Sequence, residues 1–389
     1  MTAAFEGDDM SDLSTESELF VATARAFLDK TAALRDYRDL HARGGSYDAA
    51  WWRQAADLGW AGLLVPEELG GGSVSGCGLR DLAAIATELG RTVAPGPLYP
   101  VSVVLAGLVD ADNREAHARD IAALIAGETV ATWAADEPGR GFRPHQPGLT
   151  ATRIAGGYRL NGVKDRVEAA DRADLVLIGA RTDDGAVRQF LVRTDSAGIQ
   201  VTPQTGIDLV KQYARIEFSD TEIDASAAVG SAAQTGALID RQTQIAIALV
   251  CAETAGILDA VMEMTVAWAR DRYSFGRPLA SYQAIKHRLA DMTMWLHACH
   301  AITAGAVDKV AARDPEAAMW AGAAKSYLGE HAGRLIQECV QLHGGIGVTW
   351  EHDLHLYLRR ATLYRNLLGT PAEHHQAIFA AASSTEPAA

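Results

Sequence analysis

The hydrophobic periodicity of this chain switches twice, and that double switch limits its fold more than any other property of the sequence. From about Thr15 to Gly127 apolar residues recur at helical spacing. Phe20, Ala24 and Phe27 share one face, and Leu82, Ile85 and Leu89 repeat the pattern. A Pro- and Gly-rich turn, Val65 to Gly72, interrupts these helices. From about Thr129 to Val229 the signal is that of strands: Ala173–Gly179, Gln189–Arg193 and Ala214–Phe218 are short runs of β-formers. Thr152–Leu160 reads as a hairpin turning at Gly156-Gly157. From about Ala232 to Ala382 the helical period returns, in four or five long Ala- and Leu-rich helices. Helices, then strands, then helices predict an α+β chain with domains over 1–128, 129–229 and 230–389.

Composition narrows the partners. Lysine and arginine number 35 against 49 acidic residues, a net charge of −14. This argues against nucleic acid or an anionic membrane as the main partner, although a few local arginines can still bind phosphate. Cys77, Cys251, Cys299 and Cys339 are scattered without a C-x-x-C pair, so they read as small buried hydrophobes. Met1 to Ser17 is acidic and polar, with no basic or apolar region of a signal peptide. The most apolar helical run, Ile245 to Met262, carries Glu253, Asp259 and a glycine, which fits a core helix. The expectation is a cytoplasmic protein.

Two segments carry chemistry. The first runs from Arg270 to Met292 and includes Arg272, Phe275, Gly276, Pro278 and Gln283. An arginine fork binds pyrophosphate oxygens and an aromatic ring stacks on adenine. Gly276 is expected to let the chain leave a helix, and Pro278 to keep it from resuming one. The second is Gln341-Leu-His-Gly-Gly-Ile-Gly-Val-Thr-Trp-Glu351, in which Gly344 and Gly345 permit a close backbone approach. His352, His355, His374 and His375 lack the spacing of a zinc site and read as surface or packed residues; no metal is expected.

Both segments, in this order, resemble the acyl-CoA dehydrogenase family, including the actinobacterial branch with heteromeric steroid-degrading members. The resemblance covers nearly the whole chain. It implies an N-terminal helical domain, a central β-barrel-like domain and a C-terminal four-helix bundle. It implies FAD as cofactor, with Arg272 on the pyrophosphate, Phe275 on the adenine, and Gln283, Gln341, Gly344, Gly345 and Thr370 around it, partly across a subunit contact. It also implies an acyl-CoA substrate, an electron-transfer flavoprotein or similar acceptor, and a homo- or hetero-oligomer with a family member.

In the family a carboxylate removes the α-proton of the thioester while the β-hydride goes to the flavin, and the thioester carbonyl is held by donors of the oxyanion type. The usual Glu-Gly-Thr triplet is here Leu368-Gly369-Thr370, so leucine stands at the base position and offers only its backbone N–H. A second family position for the base corresponds to Ala246. The nearest acid on that helix is Glu253, a candidate base or a structural ion-pair partner. Arg166 stands where the family has an aromatic covering the flavin, and Glu168 where it has a threonine near the flavin N5. Three readings follow: an FAD-dependent acyl-CoA dehydrogenase with a non-standard or missing base, a non-catalytic partner subunit completing an FAD site, or other flavin chemistry on the same fold.

Overall fold

The structure, a computed structural model, describes residues 15–42, 44 and 47–384. Most of the acidic N-terminal segment, residues 1–14, lies outside the described residues. Six helices come first: α1 (Thr15–Thr31), α2 (Leu34–Ala42), α3 (Ala49–Asp57), α4 (Gly78–Arg91), α5 (Leu98–Asp110) and α6 (Ala118–Ile125). Eight strands follow: β1 (Ala131–Ala134), β2 (Thr150–Ile154), β3 (Gly157–Glu168), β4 (Leu175–Thr182), β5 (Val187–Arg193), β6 (Ile199–Gln204), β7 (Tyr213–Asp224) and β8 (Ala228–Val229). The last five helices are α7 (Thr235–Asp271), α8 (Gln283–Ala311), α9 (Ala317–His343), α10 (Leu354–Asn366) and α11 (Pro371–Ser384). The chain adopts the expected α+β order.

The strands form one mixed sheet in the order β6-β7-β3-β2-β4-β5-β8, with β1 also on β4. β1 and β2 run parallel to β4, and the remaining pairs are antiparallel. The predicted hairpin forms, but Ile154 pairs with Gly157, so the turn is Ala155-Gly156, one residue earlier than expected. Gly156 takes φ +83°, which a Cβ disfavours. β4 explains why its sequence is a continuous apolar run. Leu175 and Leu177 face a core shared with the helices, whereas Val176 and Ile178 face a second core inside the sheet domain. A strand buried on both faces has no polar alternation.

α7 is long and apolar enough to cross a membrane by length and composition, yet 89% of its most apolar window is buried in the protein. It is the core helix, packed against α4, α5, α8 and α9. At its crossing with α4 the two backbones touch. A Cβ on Gly256 would lie 1.9 Å from the Thr87 carbonyl oxygen, and one on Gly90 would lie 1.9 Å from that of Glu253. This contact fixes the height of α7, and with it the position of Glu253. Of the cysteines, Cys251, Cys299 and Cys339 are buried free thiols and Cys77 is half-buried.

Candidate active site

The two sequence segments meet at the surface of the helical bundle. α7 ends at Asp271, and Arg272 is its exposed C-cap. The Arg272 guanidinium lies 5.8 Å from the Trp268 ring, and Trp268 stacks on His343 with centroids 5.3 Å apart. His343 directly precedes Gly344, so this stack sets Arg272 beside the glycine turn. Gly276 does not end the helix, contrary to expectation. Residues 273–278 form a tight hairpin in which Ser274 pairs with Arg277. Phe275 and Gly276 are its two central residues, with φ +50° and +78°, as a two-residue turn of this hand requires.

That turn displays Phe275, which is 97% exposed. Tyr273, Ile346, Val348 and Trp350 are also exposed. Gln283 and Gln341 are exposed at the start of α8 and the end of α9. Gly344 takes φ +68°, but Gly345 has neither a positive φ nor any atom that its Cβ would meet within 4 Å. Nothing within the chain demands a glycine there. An exposed arginine, a displayed aromatic and a bare glycine turn fit the adenylate half of a dinucleotide approached from outside.

A second feature is a cleft of about 640 Å³ between the sheet and the C-terminal helices. Asp136, Phe142, Arg166, Tyr213, Gly369 and Thr370 are among its walls. Burial pushes the Asp136 carboxyl up, while Arg166, 3.5 Å away, pulls it back. Arg166 has φ +50° and its second neighbour is Asp165 at 3.3 Å. Glu168 turns away from the cleft: it accepts from Lys211 Nζ at 2.6 Å and from the Tyr213 hydroxyl at 3.0 Å. At the two positions where the family pattern has an aromatic and a threonine, this chain therefore presents Arg166 to the cleft and turns Glu168 away from it.

Thr370 caps α11. Its backbone N–H and hydroxyl both donate to Glu373, at 2.8 and 3.0 Å, and the Glu373 N–H donates back to the Thr370 hydroxyl. With Pro371 at the first helical position this is a capping box. Thr370→Ala should cost about 1 kcal/mol of stability, measurable as a shift of the urea midpoint.

The candidate base takes a different role from the one its sequence position offered. Glu253 does not line the cleft. Its carboxylate is 2.5 Å from Arg360 Nη1 and 3.9 Å from Lys211 Nζ. Arg360 also bonds Asp208, and Lys211 bonds Glu168. These five charged side chains form a buried network that joins β3, the β6–β7 connection, α7 and α10. A carboxylate engaged by a buried guanidinium and absent from the cleft wall is not placed to reach a substrate carbon there. Leu368 and Ala246 are 3% and 0% exposed and belong to the apolar core.

Sequence reasoning singled out Glu253 but missed Asp208, Lys211, Arg360 and Lys325. The only signal was a cation within an apolar helical stretch, as at Arg360 between Leu358 and Ala361. Among the described residues, no three metal-ligating side chains gather. His374 instead bonds the Leu368 carbonyl oxygen at 2.9 Å.

Known proteins share the fold and the family pattern of this chain. The family model for the acyl-CoA dehydrogenase N-terminal domain matches residues 14–128, and that for the C-terminal domain matches residues 238–382. The chain is 30% identical to acyl-CoA dehydrogenase IpdE2 of Mycobacterium tuberculosis, over 92% of this chain and 94% of that protein. It superposes on the ChsE4-ChsE5 complex of Mycobacterium tuberculosis with a TM-score of 0.85 at 26% identity, covering 97% of this chain and 99% of that one. For butyryl-CoA dehydrogenase of Megasphaera elsdenii the TM-score is 0.88 at 22% identity, over 96% and 99% of the two chains, a likeness of fold. This chain belongs to the acyl-CoA dehydrogenase family, FAD-dependent oxidoreductases that act on CH–CH groups.

Proposed function

We propose that this chain is the base-less subunit of a heteromeric acyl-CoA dehydrogenase. Its C-terminal helices clasp the adenylate half of an FAD whose ring lies in a family member that carries the base. The assembly desaturates a CoA thioester of fatty-acid or steroid catabolism in the cytoplasm and passes electrons to an electron-transfer flavoprotein or similar acceptor. The observation that carries the reading is the state of the three positions from which a base would act: Leu368 and Ala246 are core residues, and Glu253 is held by Arg360. The contrast between the intact clasp and the altered cleft supports it.

Each residue has a defined task in this reading. Arg272 binds pyrophosphate oxygens, Phe275 stacks on adenine, and Gln283, Gln341, Gly344 and Gly345 complete the clasp. FAD, when bound, supplies the hydride acceptor. Thr370 holds the start of α11 against the cleft.

Two experiments test the proposal. Expressed alone, the chain should be colourless or bind FAD well below one per subunit. Co-expressed with a base-carrying family member, it should yield a yellow complex that desaturates an acyl-CoA. A stoichiometric yellow homotetramer with turnover would overturn the partner role. In the complex, Arg272→Ala should weaken FAD retention by about 2–3 kcal/mol, the scale of a lost charge-assisted hydrogen bond; unchanged affinity by equilibrium dialysis would remove Arg272 from the clasp. Glu253→Gln should lower the melting temperature while leaving turnover per flavin intact.

A further inference from the structure

The segment that follows the glycine turn is fastened by a side chain from the other end of the sequence. Arg38, on α2, donates from Nε to the Trp350 carbonyl oxygen at 2.8 Å. Its Nη2 donates to the Glu351 carbonyl oxygen at 3.2 Å and to Asp353 Oδ1 at 2.9 Å. One planar fork thus holds three acceptors that lie 312 to 315 positions away in the chain. The Arg38 side chain is 16% exposed, which shields these bonds from competing water. The preceding residue roots the helix: Tyr37 is buried in the core, and its hydroxyl donates to the Ala32 carbonyl oxygen at 3.2 Å.

The held segment reaches the clasp by direct contact. His355 bonds the same Trp350 carbonyl oxygen, and its ring stacks on Trp350 with centroids 4.8 Å apart. On the inner side His352 packs edge-on against His343, again with centroids 4.8 Å apart. His343 in turn stacks on Trp268, and the Arg272 guanidinium lies against that indole. The glycine turn is therefore caught between the Trp268 stack before it and the Arg38 fork after it. Two successive glycines bring no side chain to pack, so the turn depends on these flanks for a fixed position. Stabilising α10 does not account for Arg38, because a cation at the start of a helix opposes the helix dipole.

We infer that Arg38 is a positioning residue for the nucleotide clasp. It fixes the segment after Gly344-Gly345, so that the glycine turn and Arg272 meet the adenylate half of FAD already ordered. A site ordered on folding does not have to be ordered on binding, which tightens cofactor capture. Docking of α2 is thereby a condition for tight capture, with Arg38 acting through the backbone that it holds. This role deepens the clasp proposed above and rests on it.

FAD affinity of the co-expressed complex, measured by equilibrium dialysis after the flavin is stripped and restored, tests the role. Arg38→Met should raise the FAD dissociation constant about tenfold, the worth of one charge-assisted hydrogen bond, with turnover per bound flavin unchanged. Arg38→Lys, a point charge in place of a fork, should recover only part of the affinity. Asp353→Asn should weaken FAD less than Arg38→Met does. The double variant should be no weaker than Arg38→Met alone, because both changes break the same contact. A purely structural role would lower the yield and melting temperature of the complex and leave the dissociation constant of the folded fraction unchanged. Arg272→Ala separates the two possible failures. If it weakens FAD and the Arg38 and Asp353 variants do not, the positioning role is overturned and the clasp stands. If Arg272→Ala has no effect, the clasp falls and this role with it. Where Arg38→Met does not fold, Arg38→Lys and Asp353→Asn carry the test.

Discussion

Arg360→Ala is expected to cost 3–5 kcal/mol or more, since breaking a buried ion pair from one side leaves its partners uncompensated. Arg360 is 0% exposed and lies between Glu253 and Asp208, with Lys211 already occupied by Glu168. The pH dependence identifies the cause. Burial pushes the Asp208 carboxyl up, but Arg360 and the amides of Lys211 and Val210 outweigh it and hold the carboxyl below its usual range. In the parent chain this contribution is present above about pH 4, the ordinary carboxylate value, and is lost as pH falls through the depressed one. Without Arg360 the main cause that lowers the Asp208 carboxyl is gone and burial raises it, so the variant gains stability as pH falls through the raised value. Urea unfolding at pH 7.5 and 5.5 should therefore show a smaller deficit at the lower pH. An equal deficit at both would mean that lost packing, and not stranded charge, is responsible. Adding Glu253→Gln to Arg360→Ala should recover part of the loss.

Gly256→Ala is the second large effect. The added methyl would lie 1.9 Å from a carbonyl oxygen of α4, a backbone atom that cannot move aside by changing rotamer. The helices must separate, and overpacking of this kind costs on the order of 3 kcal/mol. Because Glu253 sits one turn away on α7 and contributes a carbonyl to the same crossing, separation also stretches the Glu253–Arg360 bond. The expected observations are a lowered melting temperature and, in the assembled complex, reduced yield with little change in FAD affinity per folded subunit. Gly345→Ala is a contrasting substitution: nothing in the chain opposes its Cβ. It should leave the isolated chain's stability unchanged and weaken FAD capture by the complex. If Gly256→Ala folds as well as the parent, the close crossing is not a constraint on the chain.

The buried network gives the sheet and the helices a shared anchor. Glu168 and Asp208 belong to the strand region, Glu253 and Arg360 to the helices, and Lys211 lies within ion-pair distance of both groups. Three acids face two bases, so the cluster carries a net −1 if all are ionised. Tyr213, whose hydroxyl bonds Glu168, is pushed well up by burial and nearby acids, so it remains a neutral donor at the inner wall of the cleft.

Periodicity alone settled the order of helices, strands and helices, because the burial of one face imposes a spacing of 3.6 or 2 residues that can be read without coordinates. The continuous run of β4 was legible for the same reason, since a strand buried on both faces carries apolar residues throughout. Local chemistry singled out Arg272, Phe275 and the glycine turn, and the structure exposes them at the surface. What those cues could not supply was any pairing between residues far apart in the chain. Glu253 and Arg360 are 107 residues apart, and Lys325 and Gly369 are 44 apart. Whether Glu253 was a base or one side of an ion pair depended on which cation the packing of α10 would bring against it. The left-handed conformation of Leu368, φ +61°, was invisible for a related reason: Lys325, His374 and the α11 cap together bond the turn around it, and leucine has no preference for it. The sequence set which elements form; the packing of α4, α7, α9 and α10 decided which charges meet, because an ion pair depends on distance through space and leaves no periodic trace along the chain.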